Sequence, residues 1–282
     1  MTTLTPFYLT IKDDSRSRVE TNGTTLRKTC FSLEGGAREA AITRLAHSLC
    51  PDTVVELRDY RKGEENEVIM EFPFYKDSLE SMIKRRGQLP PAELSALVFD
   101  LANTVLFLHK HQIAHRDLNI SNVVVDFSTN HIVVIDFETS STPDYPNNEC
   151  LSTLDSASPE LLGDIESNCA ITFTDGCKND LWALGKLGYD LVSGVRTKSM
   201  AKLTREQVRS RVREATRMCV ELRLVLETCL EVDFTLRGNE LEAALEALQG
   251  VERRFPLRDV EMSISKPVER SYKKVSGVCP DV

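Results

Sequence analysis

Three oxygen-bearing side chains in one stretch of the chain could together hold a metal ion. Asp117 and Asn122 lie in the run His115-Arg116-Asp117-Leu118-Asn119-Ile120-Ser121-Asn122, and Asp136 opens Asp136-Phe137-Glu138 shortly after it. Carboxylate and amide oxygens on two neighbouring loops suit a small hard cation such as Mg2+. A plainer reading is open for part of the set, because Asp and Asn are frequent in turns, where their side chains satisfy nearby backbone groups. That reading covers Asp117 and Asn122 but leaves Asp136-Phe137-Glu138 and the downstream Glu160 unexplained.

Two such loops need rigid flanks. Val123–Val125 and Ile132–Ile135 are β-branched runs separated by Asp126–Asn130, which predicts a hairpin with one loop before it and the other after it. Upstream, Leu94, Leu97, Val98, Leu101, Val105 and Leu108 recur at helical spacing and place one apolar stripe against a core. Further helices are expected over Leu181–Leu191 and Leu241–Leu248. Another starts at Thr204, where Thr204 and Gln207 have capping-box spacing and Val208, Val212, Ala215, Cys219, Leu222 and Leu226 form the stripe. Before Leu79 the pattern is of strands: Phe7–Ile11, a stretch around Val19, Thr25–Phe31 after a turn at Asn22–Gly23, Thr53–Leu57 and Val68–Phe72. A single helix from Ala37 to Leu49 is expected among them, after Gly35–Gly36. The division is a β-rich part over residues 1–73, a mainly helical part over 74–250, and a polar tail over 251–282 that lies on the surface or frays.

With 41% apolar residues in a chain of 282, a sizeable core can be buried and disorder is not the expected state. The 43 acidic residues outnumber 35 basic ones, and a net charge of −8 argues against a phosphate-backbone binder, so no nucleic-acid partner is expected. The eight cysteines include no Cys-x-x-Cys pair, which favours reduced thiols over a disulfide framework or a zinc site. The start lacks a basic region followed by an apolar one, and no uninterrupted apolar run is long enough to span a bilayer. A soluble, intracellular protein without a membrane partner is the expectation.

The run HRDLNISN resembles HRDLxxxN, the catalytic loop of the eukaryotic protein kinase superfamily. Asp136-Phe137-Glu138 stands where that family carries its DFG metal-binding triplet. Ser158-Pro159-Glu160 resembles the APE that closes the activation segment, and Asp180-Leu181-Trp182-Ala183-Leu184-Gly185 resembles the DxWxxG helix start. The resemblance implies an α+β, two-lobed fold, with a small β-rich lobe carrying one helix above a larger helical lobe. It implies ATP with Mg2+, or Mn2+ in its place, and phosphoryl transfer to a serine or threonine hydroxyl of a protein substrate. Asp117 would accept the proton of the attacking hydroxyl, and Asn122 and Asp136 would hold the metal. Arg116, counted with the catalytic residues, would meet an anion in the activation segment. Thr139, Ser140, Ser141, Thr142, Tyr145, Ser152 and Thr153 are candidates for its phosphorylation, and Glu149 is a constitutive substitute. Thr153 also sits where serine/threonine kinases place the threonine that touches their catalytic aspartate. Asp180 would brace the catalytic loop, and Glu160 would pair with Arg237.

In the small lobe, Lys28 resembles the lysine that contacts the ATP phosphates and Glu39 its helix partner, with Lys12 competing for the lysine role. The short connection from Lys28 places Glu39 in the first helical turn. Met70-Glu71-Phe72-Pro73 resembles the gatekeeper and hinge strand, so Met70 and Phe72 join the cofactor-binding set; core packing is the other reading of Met70.

Three departures bear on activity. No glycine-rich loop precedes Val19: Lys12, Asp14 and Ser17 occupy the glycine places, which keeps backbone amides away from phosphates. Glu138 replaces the triplet's glycine and either adds a metal ligand or repels ATP. Asn119 stands where serine/threonine kinases carry a lysine, so charge compensation is lost. Two alternatives follow: a catalytically weak or inactive pseudokinase acting as a binding scaffold, and a small-molecule phosphotransferase similar to aminoglycoside and choline kinases. Against the latter stands the segment Thr139–Glu160, which resembles the peptide platform those enzymes lack.

Overall fold

Strands up to Pro73 and mainly helices after it divide the chain into two lobes. The computed structural model describes residues 8–64, 66–126, 131–147, 149, 152–167, 170–217 and 220–252. Five strands, β1 (Leu9–Asp13), β2 (Ser17–Thr21), β3 (Thr25–Cys30), β4 (Asp59–Lys62) and β5 (Val68–Pro73), form one antiparallel sheet in the order β1-β2-β3-β5-β4. One helix, α1 (Leu33–Leu49), connects β3 to β4. The helical lobe comprises α2 (Leu79–Arg86), α3 (Pro91–Lys110), the hairpin β6 (Val123–Asp126) and β7 (His131–Val134), then α4 (Pro159–Ser167), α5 (Phe173–Ser193), α6 (Arg205–Ala215), α7 (Val220–Cys229) and α8 (Leu241–Glu252).

The α3 stripe predicted from spacing is buried against α5 and α8. Each of its leucines and valines contributes about 1.5–3 kcal/mol of gross burial energy, opposed by the entropy of ordering the helix. By length and composition α3 could cross a membrane, but its apolar residues are used in this core. Gly185 explains how closely α5 and α7 approach: a Cβ there would lie 2.7 Å from Cys229 Cβ, which no real packing tolerates. A second apolar cluster, containing Met70, Phe72, Val124 and Val133, joins the sheet to the β6–β7 hairpin and so sets the two lobes against each other.

Several local expectations are corrected. The helix α1 begins at Leu33, before the glycine pair, because the Ser32 hydroxyl caps it by accepting from Gly35 N (3.1 Å). Gly36 is a packing residue there: a Cβ would stand 2.6 Å from Val68 Cβ on β5. Glu39 consequently sits in the second turn. Thr53–Leu57 is not a sheet strand. Val54 makes one parallel bridge to Val134, and the run is apolar because Val54, Val55 and Leu57 are buried against the hairpin and sheet. The strand that pairs with β5 on that side is β4, at one of the sheet's two edges. The stripe from Thr204 is shared by α6 and α7, with Thr216 closing the first. Phe7, the hairpin turn at 127–130, Cys219 and the tail from 253 lie outside the described residues.

Candidate active site

The hairpin places both loops at one end of the helical lobe. Ile135 N donates to Asn122 O (3.0 Å), and the His115 ring meets Ile135 O through Nε2 (3.0 Å) while packing edge-on to Phe137 at 4.8 Å between centroids. From below, the buried Asp180 carboxylate on α5 accepts from His115 N (2.7 Å) and Arg116 N (2.6 Å) and contacts His109 Nε2 (3.0 Å). Arg116 and Asp136 take left-handed backbone angles, φ 70° and 65°. Non-glycine residues occupy that region only when their surroundings hold them: Arg116 is held through its amide by Asp180, and Asp136 through its carboxylate by Lys28.

Asp117 is gripped on both sides. Thr153 N donates to its Oδ1 (2.8 Å), and Asn122 Nδ2 donates to its Oδ2 (3.0 Å) and its carbonyl (2.9 Å). Burial pushes the Asp117 carboxyl above the usual aspartate range, against the lowering effect of the bonds from Thr153. Asn119 Nδ2 bonds Asp117 O (3.1 Å) and Thr153 Oγ1 (3.3 Å), so the residue in the lysine position braces the loop and brings no charge.

Above the loops, the Lys28 ammonium meets three carboxylates: Glu39 Oε1 at 2.9 Å, Asp136 Oδ1 at 2.8 Å and Glu138 Oε2 at 3.0 Å. Strand register explains its direction, since Lys28 pairs with Val19 and Met70 and shares its face with Leu26 and Cys30. Lys12 is instead half-exposed and pairs with Asp14 at 2.9 Å. Burial disfavours charge on Lys28, yet Asp136, Glu39 and Glu138 together raise its pKa well above the ordinary lysine value. Burial likewise disfavours charge on Asp136, but the Lys28 charge outweighs it and holds that carboxyl low. Glu39 is raised by burial, which the Lys28 charge only partly offsets. Met70 and Phe72 lie on the Lys28 face, buried in the second cluster.

Asn122 is joined to Asp117 by side-chain contact and to the Asp136 loop through the backbone, while the three carboxylates of Glu39, Asp136 and Glu138 have oxygens within 4.8 Å of one another. The donor set is all oxygen, and three carboxylates face two cations, Lys28 and Arg16, leaving negative charge that a hard divalent ion would neutralise. Ser17 Oγ, on the face of Lys28 and Cys30, is fully buried with no partner among the described residues, a donor that a phosphate oxygen would satisfy. The residues present therefore fit a nucleotide with its metal.

The segment after Asp136 departs from expectation. Arg116 is buried and donates to the backbone carbonyls of Asn147 and Glu149. Thr139, Ser140, Ser141 and Thr142 are buried rather than open to modification. Their hydroxyls are engaged: Thr139 and Ser140 donate to His115 O, and Ser141 and Thr142 accept from Asn147 N and Tyr145 N. Downstream, Arg237 is fully buried and forms a two-pronged pair with Glu160, with its Nη2 at 2.9 Å from Oε2. Sequence reasoning missed Arg16, whose Nη1 lies 3.3 Å from Glu138 Oε1. Nothing in the sequence links this basic residue to an acidic one more than a hundred positions away.

Comparison with known proteins agrees with this architecture. The protein kinase domain model matches residues 27–248. The chain is 29% identical over 149 residues to an Aurora kinase of Eremothecium gossypii, covering 52% of this chain and 38% of that protein. It is 27% identical over 129 residues to the Aurora kinase of Saccharomyces cerevisiae, covering 45% and 32%. It is also 29% identical over 170 residues to sperm motility kinase 2B of Mus musculus, covering 58% and 34%. The aligned stretches span about a third of these relatives' lengths. The chain belongs to the protein kinase domain family.

Proposed function

We propose that the chain is a divergent serine/threonine protein kinase that uses ATP and Mg2+. The observation that carries this reading is the meeting of Lys28 with Glu39 and Asp136 above an Asp117 held by Thr153 and Asn122. When bound, the nucleotide supplies the phosphoryl group and the metal supplies charge neutralisation. Asp117 accepts the hydroxyl proton of the acceptor at a carboxylate oxygen, Asn122 and Asp136 hold the metal, and Lys28 holds phosphate oxygens with Glu39 orienting it. Met70 and Phe72 would border the base. Because Asn119 is uncharged, transfer is expected to be slow. Serine and threonine acceptors are favoured by the Thr153–Asp117 contact and by the names of the relatives above. A protein acceptor is favoured over a small molecule by the platform that Glu160 and Arg237 close, and a soluble intracellular setting belongs to the same proposal.

The scaffold reading has its own support. The Asp14 carboxylate already accepts from Arg16 N (2.9 Å) and Ser17 N (3.0 Å), so these amides cannot serve phosphates, and Glu138 engages Lys28. One experiment separates the readings. The purified chain is incubated with terminally labelled ATP, Mg2+ or Mn2+, and either generic protein acceptors or an aminoglycoside and choline, followed by phosphoamino-acid analysis. Label on serine or threonine supports the proposal, whereas no transfer to any acceptor, or transfer only to the small molecules, ends it.

A further inference from the structure

Glu138 uses both carboxylate oxygens on cations: Oε2 lies 3.0 Å from Lys28 Nζ, and Oε1 lies 3.3 Å from Arg16 Nη1. The two cations come from different strands' neighbourhoods, Lys28 from the middle of β3 and Arg16 from the turn joining β1 to β2. That turn is fixed by its own bonds. Asp14 N donates to Ser17 O (3.1 Å), and the Asp14 carboxylate takes the amides of Arg16 and Ser17. The backbone is thereby committed, and what the turn still presents toward Glu138 is a guanidinium. Its side chain is 53% exposed, so it can leave Glu138 without breaking the core.

A carboxylate bridging two cations occupies the place of a small anion. A phosphate carries more charge and more acceptor oxygens, and guanidinium matches phosphate geometry in a fork. Resting on the kinase reading above, we propose that Arg16 is a phosphate-binding residue that replaces the missing glycine-loop amides, and that Glu138 is its built-in competitor, holding Lys28 and Arg16 until nucleotide phosphates take both. The buried Ser17 hydroxyl, on the sheet face of Lys28 and without a partner among the described residues, offers a further donor. The arrangement gives the two sequence departures one joint role. The acidic replacement of the triplet glycine lowers nucleotide affinity, and the basic turn restores part of it.

The test is a titration of the full chain with a fluorescent anthraniloyl ATP in the presence of Mg2+, for wild type, Glu138→Gln, Arg16→Ala, Arg16→Lys and the Glu138→Gln/Arg16→Ala pair. Circular-dichroism melting first verifies that each variant folds; Arg16→Gln carries the same expectation should Arg16→Ala fail. Removing the charged competitor is expected to tighten binding about tenfold, the scale of one charge-assisted bond. Removing the half-exposed Arg16 is expected to weaken it about fivefold, with Arg16→Lys between. The loss from Arg16→Ala should be larger in the Glu138→Gln background, because there Arg16 gives up no ion pair on binding nucleotide. Wild-type binding with no tightening in Glu138→Gln, or no weakening in Arg16→Ala in either background, overturns the proposal and leaves the kinase reading intact. No nucleotide binding by any variant overturns both.

Discussion

Asp180→Asn probes how the catalytic loop is held, with almost no change in volume. The native carboxylate receives two short bonds from consecutive backbone amides, His115 N and Arg116 N, at 2.7 and 2.6 Å, in a site almost sealed from water. Bonds of backbone N–H to a buried charge contribute about 1.5–3 kcal/mol each. An asparagine keeps one acceptor oxygen but points its own NH2 at the other amide, which loses one such bond and leaves a buried donor without an acceptor, a further cost of about 1–3 kcal/mol. The expected destabilisation is about 3–5 kcal/mol, which lowers the melting temperature of a domain this size by about 6–20 °C. Circular-dichroism melting of wild type and variant at neutral pH measures it. Phosphate transfer should fall as well, because Arg116 and Asp117 follow the amides that Asp180 holds. A variant melting within about a degree of wild type would refute the bracing role.

Glu160→Gln breaks the pair with the fully buried Arg237 and should cost about 3 kcal/mol, read by urea unfolding at neutral pH. Burial alone would raise the Glu160 carboxyl, but the Arg237 guanidinium outweighs it and holds it below the ordinary 4.5. Its contribution is therefore present above that value and lost as pH falls through the lowered one, so Glu160→Gln should unfold with a shallower dependence on acid. Asp117 shifts the opposite way: because its buried carboxyl is raised above 3.8 and must be ionised to take a proton, the acid limb of kcat/KM should lie above the ordinary aspartate range. Gly185→Ala, which forces a Cβ to 2.7 Å from Cys229 Cβ, should destabilise by about 1–3 kcal/mol in the same urea assay.

The parts legible from sequence were those carried by residue type at fixed spacing. HRDLNISN, Asp136 and Glu160 sit at or beside the ends of elements whose apolar pattern is plain, Asp180 lies within α5 and Arg237 between α7 and α8, and the α3 stripe and the hairpin follow from the same periodicity. Other features depend on distances that a linear pattern does not carry. Gly35–Gly36 read as a helix breaker, yet the pair lies inside α1, where Gly36 lets the helix rest on Val68. Thr53–Leu57 has strand composition because it is buried from two sides, though only Val54 forms a bridge. Hydroxyl-rich Thr139–Thr142 suggested a modifiable surface, but the hydroxyls serve the backbone of His115 and of their own turn. The Arg16–Glu138 contact was invisible for the same reason: it depends on how Asp14 folds a turn far away in sequence.

The most direct measurement of the central claim is the steady-state rate of transfer from Mg-ATP to a phosphorylatable protein acceptor by wild type and by Asp117→Asn, with folding of both verified by melting. If Asp117 takes the acceptor's proton, kcat should fall at least about 100-fold in the variant while KM for ATP stays close to wild type. Equal rates from the two proteins would contradict the account.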